Sequence, residues 1–164
     1  QLALGDAICI ATMKYKKFGK LDFKKLHPAG SLGAQLKTVE DIMLTGSKIP
    51  FVNEHIKTQK ALKILSQKNL GILVVRNKKR KTIGIITDGQ IRRVSQKNSN
   101  FQNLLVKEIM TKKPIFIDRN VLAAKALALM NNKKITSLLV CNKNKPSLTI
   151  GVIHVHTILQ SNIS

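Results

Sequence analysis

The chemically versatile side chains of this 164-residue chain fall in three places. The first is LHPAGSLG, beginning at Leu26. His27 precedes a proline, which holds it extended, and an imidazole there could shuttle protons near neutral pH. Ser31 and the neighbouring glycines could open a helix with free N–H groups, an arrangement that suits an anion. On these residues alone, capping or packing at a domain junction is the stronger reading of His27. The other two places are related corners, KTIGIITDGQIRRV from Lys81 and LTIGVIHVHTILQS from Leu148. Each has a β-branched strand, a glycine, two apolar residues, a polar residue able to cap, and then helical apolar spacing. The capping residue is Thr87 in the first corner and His154 in the second. Asp88 reads as a favourable first-turn charge. Arg92 and Arg93 could meet a phosphate or carboxylate, although basic residues at a helix end are usually solvated. His154 and His156 would share one face of a strand, as some metal sites need, but no third ligand is visible and a metal is not expected. His55 reads as an exposed loop residue.

The elements that position the two corners repeat as well. VEDIM at Val39 matches VKEIM at Val106, an offset of 106 − 39 = 67. Gly84 matches Gly151 at the same offset, 151 − 84 = 67. Between them ALKIL at Ala61 matches ALALM at Ala126, an offset of 65, so the intervening loops differ by two residues. In each copy a short strand (IPFV, IFI) leads into a helix (TQKALKILSQKN, VLAAKALALMNNK). A buried strand (GILVVRN, SLLVCN), a basic turn, the corner strand and a last helix follow. The unit reads β-α-β-β-α, twice, and the class α+β. About 60 residues with one apolar sheet face are marginal alone, so the two units are expected to pack together. Upstream, LALGDAICIATMKYKKFG has a helical apolar face with no partner in the repeats. It reads as the end of a preceding domain, and the chain as the C-terminal part of something longer. The expected division is residues 1–37, 38–98 and 99–164.

Composition narrows the classes. A hydrophobic content of 43% suits a soluble globular protein, and no apolar run approaches the length of a membrane helix. Cys9 and Cys141 are isolated in apolar surroundings, which implies buried small hydrophobes in a reducing cytoplasm rather than a disulfide framework. The net charge of +21 raises nucleic-acid binding, but the cations are scattered and mostly lysine, and aromatics are only 4%. The densest run, RNKKRK from Arg76, falls between two strands and reads as a solvated hairpin loop.

The repeated DIM…G-h-h-T-D pattern resembles paired CBS domains, regulatory modules that bind adenosine-type and other nucleotides between two repeats. LALGDA, F…LHPAGSLG, DIMLTG…IP and NLG…GIITDG…RR together resemble the bacterial arabinose-5-phosphate isomerases, in which a sugar-isomerase (SIS) domain precedes a CBS pair. The resemblance runs from Leu2 to Leu159. It implies a tandem CBS pair with a pseudo-twofold axis, preceded by terminal helices of a SIS domain. It also makes His27 a catalytic residue. The implied reaction interconverts D-ribulose 5-phosphate and D-arabinose 5-phosphate through an enediol. It serves Kdo and lipopolysaccharide synthesis in the cytoplasm of a Gram-negative bacterium and needs no cofactor.

In CBS modules a threonine or serine after the last strand and an aspartate three residues later hold phosphate and ribose hydroxyls. Here Thr87 keeps the first role while Gln90 stands at the aspartate position. In the second repeat His154 and Thr157 stand at these positions. Thr87, Asp88, Gln90, His154, His156 and Thr157 are thus the residues expected at two non-equivalent nucleotide clefts. The implied partners are a sugar phosphate for the full-length enzyme, a regulatory nucleotide or CMP-Kdo, and further copies of the chain, as a dimer of CBS pairs and a full-length tetramer. This chain alone is expected to be inactive. A free-standing CBS-pair nucleotide sensor is the competing reading, and a basic nucleic-acid binder a weaker one. LHPAGSLG separates the first two, because a free-standing sensor has no use for it.

Overall fold

Each half of the molecule is completed by a segment from the other repeat. The computed structural model describes residues 2–19, 22, 26 and 35–161. Helix α1 spans Leu2–Tyr15 and is followed at a distance by a short α2, Val39–Ile42. Strands β1 (Leu44–Thr45) and β2 (Phe51–Asn53), helix α3 (Thr58–Lys68), strands β3 (Ile72–Arg76) and β4 (Thr82–Thr87), and helix α4 (Asp88–Lys97) follow. The second copy runs α5 (Val106–Ile109), β5 (Thr111–Lys112), β6 (Phe116–Asp118), α6 (Ala123–Lys133), β7 (Ser137–Cys141), β8 (Gly151–His154) and α7 (Val155–Gln160). The strand orders are β2-β3-β4-β5 and β1-β8-β7-β6. The two-residue strand after each IM motif therefore crosses into the sheet of the other repeat.

The helices form where sequence periodicity places them. α3 turns Ala61 and Leu65 inward, and α6 turns Ala123, Ala126 and Met130 inward, the i, i+3/i+4 spacing of one helical face. They stop at Asn69 and Lys134, both in the left-handed conformation that ends a helix. β3 and β7 are buried on both faces, which explains their unbroken apolar runs. In β3, Leu73 and Val75 face one helix-covered core while Ile72 and Val74 face the other sheet. In β7, Leu138 and Val140 face the second helix-covered core while Leu139 meets the opposite sheet. The result is four layers, helices–sheet–sheet–helices, with Ile49, Ile72, Val74, Leu139 and Val152 between the sheets.

The VEDIM/VKEIM match acquires a cause from this exchange. Val39, fully buried, lies in the core of the second half, and Val106 in that of the first. The N–H groups of Val39 and Ala123 donate to the carbonyls of Val121 and Lys37 at 2.8 and 2.9 Å. Their counterparts Val106 and Thr58 donate to Ile56 and Leu104 at 2.9 and 2.8 Å. Asp41 and Glu108 each accept the N–H three residues back, from Thr38 and Leu105, both at 2.6 Å, the reciprocal half of a capping box. Met43 and Met110 then lie on the two repeat glycines: a Cβ built on Gly151 would meet Met43 Sδ, and one on Gly84 would meet Met110 Sδ. Where the repeats touch, the hydroxyls of Thr82 and Thr149 hydrogen-bond to each other at 2.7 Å. These residues are 67 apart in sequence, so the pseudo-twofold axis passes between them.

Two expectations are corrected. Cys141 is buried, but Cys9 is exposed on α1, whose residues are all exposed. The apolar face of α1 finds no partner among the described residues. The loop after Arg76 is solvated from Lys78 to Lys81, but Arg76 is not part of it. Its guanidinium lies 3.1 Å from the centre of the Phe51 ring and donates to the Thr149 carbonyl at 2.9 Å, across the axis.

The exchanged strands need bare backbone beneath them. A Cβ at Gly84 would come within 2.7 Å of Met110 Sδ and 2.9 Å of the Thr111 carbonyl, and the second of these is backbone. Gly84→Ala is expected to cost about 1–3 kcal/mol and to lower the thermal midpoint by several degrees. Gly89→Ala, whose nearest atom would be Arg93 at 3.8 Å, should not lower it. Equal midpoints for the two variants would contradict the close approach.

Candidate functional site

Both corners open onto one cleft of about 700 Å³ between the halves. Its floor is apolar where the sheets meet, lined by Ile72, Ile85 and Leu139. Its rim is polar and, among the described residues, predominantly cationic: Arg93, Lys113 and Lys134, against the carboxylate of Asp88. The strand-to-helix transitions put this chemistry there. β4 ends as α4 begins, and β8 ends as α7 begins, so the capping residue of each corner stands at the end of its strand facing the gap.

Of the residues singled out from sequence, Thr87, Asp88, Arg93, His154 and His156 line this one cleft. Gln90 and Thr157 are not in its lining. The Gln90 side chain donates to the Ile109 carbonyl at 3.0 Å and accepts from Arg93 at 2.9 Å. It ties α4 to the exchanged helix α5 and holds back one cation of the rim. The Thr157 carbonyl accepts from Ser161 Oγ at 2.9 Å. His27 lies outside the described residues. Two clefts were expected, one per corner; the structure joins the corners in one, because the strand ends converge near the axis.

The corners cap their helices with different chemistry. Thr87 Oγ1 accepts the Gln90 N–H at 3.3 Å. His154 Nδ1 accepts the His156 N–H at 3.2 Å, which requires Nδ1 to be unprotonated and puts the ring proton on Nε2. The His154 and His156 rings stack with centroids 5.0 Å apart. Burial, and then the neighbouring His156, lower the His154 pKa from 6.5. His154 is thus a neutral acceptor towards its helix. No group of three or more His, Cys, Asp or Glu among the described residues is arranged to hold a metal ion.

Sequence reasoning missed the residues between the corners. Ser137 lies opposite His154 in the β7–β8 register and lines the cleft. Its hydroxyl is buried and has no hydrogen-bond partner among the described residues. Lys113 and Lys134 line the rim in left-handed backbone, at φ 57° and 53°. Only the repeat alignment hinted at them. The counterpart of Lys113 is Gly46 (113 − 67), that of Lys134 is Asn69 (134 − 65), and that of Ser137 is Ile72 (137 − 65).

Two interleaved α/β repeats about a pseudo-dyad, with one cleft fed by both strand-to-helix corners, define a tandem-repeat α+β pair. The chain belongs to the CBS domain family, whose model matches residues 39–97 and 106–163. It is 39% identical over 163 residues to arabinose 5-phosphate isomerase KdsD of Salmonella typhimurium, covering 99% of this chain and 49% of that protein. It is 36% identical to the Escherichia coli K12 protein of the same name, with the same coverage. A protein of Rickettsia prowazekii is 37% identical, with 99% of this chain and 50% of that one covered. The chain thus spans about half the length of the curated relatives it matches. Among solved structures, CBSX2 in complex with AMP superposes with a TM-score of 0.65 at 20% identity, covering 76% of this chain and 94% of that one. The CBS domain pair of protein MJ0100, in complex with 5′-methylthioadenosine and S-adenosyl-L-methionine, gives 0.66 at 21% with the same coverage. At these identities the likeness establishes the fold.

The cap chemistry sets a pH dependence. A folded-state pKa below the unfolded value means that the unfolded chain binds the proton more readily. The contribution of His154 to stability is therefore complete above about pH 6.5 and is lost as the pH falls through the lowered folded pKa. Protonation of Nδ1 also removes the α7 cap. Ring resonances of His154 should titrate below 6.5. His154→Thr, which copies the Thr87 cap, should reduce the fall in urea-unfolding stability between pH 7 and 5. A midpoint above 6.5, or an identical fall in the variant, would contradict the neutral cap.

Proposed function

We propose that this chain is the C-terminal regulatory and assembly part of a sugar-phosphate isomerase that interconverts D-ribulose 5-phosphate and D-arabinose 5-phosphate, supplying Kdo and lipopolysaccharide synthesis in the cytoplasm. The observation that carries this reading is the span of the similarity. It extends through α1 and the LHPAGSLG segment, upstream of both CBS repeats, into isomerases of about twice this length. A free-standing nucleotide sensor would have no need of that upstream segment. The exposed apolar side chains of α1, among them Leu4, Ile8 and Met13, support its packing on a further domain. No described helix is long and apolar enough to cross a membrane.

In this reading the residues 1–37 belong to the SIS domain and its linker, and 38–98 and 99–164 to the two CBS repeats. The chain by itself does not isomerise sugar phosphates. Its cleft senses a nucleotide or CMP-Kdo, and copies associate through their CBS pairs into the full-length tetramer. His27 acts in proton transfer at the adjacent carbons of the sugar. Relatives of the fold seen with AMP and with S-adenosyl-L-methionine support a small nucleotide-like ligand for the cleft. Its apolar floor and cationic rim suit such a ligand, which has an apolar body and an anionic end.

Full-length enzyme should convert ribulose 5-phosphate, and His27→Ala in it should lower turnover roughly 10²–10⁴-fold with an unchanged unfolding midpoint. A normal rate in the folded variant would return His27 to a capping role. Absence of isomerase activity in the full-length wild type would overturn the assignment.

A further inference from the structure

The two exchanged segments are fastened by the same backbone bonds but by different side chains. In the first half the N–H groups of Val106, Lys107 and Thr58 donate to the carbonyls of Ile56, Glu54 and Leu104. In the second, Val39, Glu40 and Ala123 donate to Val121, Arg119 and Lys37, the repeat equivalents at offsets of 65 and 67. The segment α5–β5 adds two neutral, partly buried hydrogen bonds. Thr58 Oγ1 donates to the Leu104 carbonyl at 2.9 Å, and Gln90 Nε2 to the Ile109 carbonyl at 3.0 Å. Their counterparts are Ala123 (58 + 65), which has no hydroxyl, and Thr157 (90 + 67), which lacks the amide. The segment α2–β1 has an ion pair instead. Arg119 Nε donates to Glu40 Oε2 at 2.7 Å, and Arg119 Nη2 pairs with Glu40 Oε1. Arg119 Nη1 also reaches Asn142 Oδ1 at 3.5 Å. The Arg119 and Glu40 side chains are 33% and 39% exposed. At the equivalent positions of the first half the charges are reversed, Glu54 and Lys107, and no ion pair joins them among the described residues. Glu54 faces His55 of its own loop at 3.8 Å. A two-pronged guanidinium–carboxylate pair is the exposed geometry that does contribute to stability, and salt screens it. Sheltered neutral bonds respond little to salt.

The ionic fastening falls at a junction. α2 follows Lys37, whose carbonyl accepts from Ala123 at 2.9 Å and whose Nζ donates to the Ser161 carbonyl at 3.5 Å. Both partners belong to the second half. β1 then lies beside β8, with Leu44 opposite Val152, and β8 ends at His154. The residues before Lys37 thus join the pair at the second corner, although the first repeat follows them in sequence. We propose that the Glu40–Arg119 pair is a salt-sensitive latch: the segment α2–β1 opens by itself, ahead of α5–β5, and loosens the joint between the upstream residues and the second corner. Opening withdraws Val39 from the second core and Met43 from Gly151, and leaves the first half closed. No ligand in the cleft is needed for it.

The test is amide hydrogen exchange of the whole chain, resolved by residue, which reads local opening. It is run between about 0.05 and 0.5 M salt, a range over which screening changes severalfold. The latch amides are Val39, Glu40 and Ala123, and the control amides are Val106, Lys107 and Thr58. The latch amides should be less protected than the controls, and the gap should widen as salt rises. Arg119→Met keeps the aliphatic stem and removes the charge. It should lower protection of the latch amides about threefold in low salt, abolish their salt dependence and leave the controls unchanged. Glu40→Arg combined with Arg119→Glu reverses the pair and should restore both properties. Gln90→Ala should lower protection of the control amides about fivefold and not that of the latch amides. Equal protection of the two groups in the wild type, or a common loss in Arg119→Met, would show a single cooperative opening and overturn the latch. Unchanged protection in Arg119→Met would assign the difference to the neutral bonds alone and overturn it as well.

Discussion

The close approach of a methionine and a bare strand, made twice, is the contact on which the rest of the molecule depends. Met110 with the Thr111 carbonyl lies over Gly84, and Met43 with the Leu44 carbonyl over Gly151. Only a residue without Cβ lets the exchanged strand lie that near. Once it does, β5 completes the sheet of β2, β3 and β4, and β1 completes the sheet of β6, β7 and β8. Val39 and Val106 are carried along and filled into the opposite cores. Neither half then has a finished core by itself, so the halves are bound by shared burial rather than by a surface contact. The continuous packing of Val74 and Val152 between the sheets follows from the same arrangement.

That coupling also makes the cleft. With the halves locked about the Thr82–Thr149 pair, the ends of β4 and β8 converge on one side of the molecule. The segment after the exchanged strand β5 runs along the opening and delivers Lys113 to the rim. A symmetric scaffold thereby carries an asymmetric lining: hydroxyl and carboxylate at one corner, imidazoles, lysines and a buried hydroxyl at the other. Duplication supplied the geometry and divergence supplied the chemistry. The same comparison explains Gln90, which is spent on bracing α4 against α5 instead of facing a ligand.

Charge takes on a more specific meaning in this setting. A net charge of +21 raises the potential over the whole surface, but most cations stand alone in water, as the exposed run from Lys78 to Lys81 does. A field of that kind favours anions in general and selects none. Selection requires cations held beside a desolvated apolar floor, where their interactions are stronger than in water. Lys113 and Lys134 stand exposed at the edge of such a floor.

The sequence by itself determined the duplicated unit, its strands and long helices, the corners at Thr87 and His154, and the equivalence of Gly84 and Gly151. These follow from local rules, period-two and period-3.6 burial and turn chemistry, which a linear pattern records directly. The α1 helix was legible for the same reason, while the exposure of Cys9 was not, since apolar neighbours in sequence do not establish burial in space. Tertiary structure alone decided which sheet each two-residue strand joined, since strands that short carry no pattern of their own. It also decided that the two corners share one cleft. Ser137 and the two lysines escaped notice because a lone serine in a strand and lysines after turns are unremarkable in a line of text. Their meaning comes from the pseudo-dyad, which brings residues from separate loops to one rim and leaves a buried hydroxyl facing it.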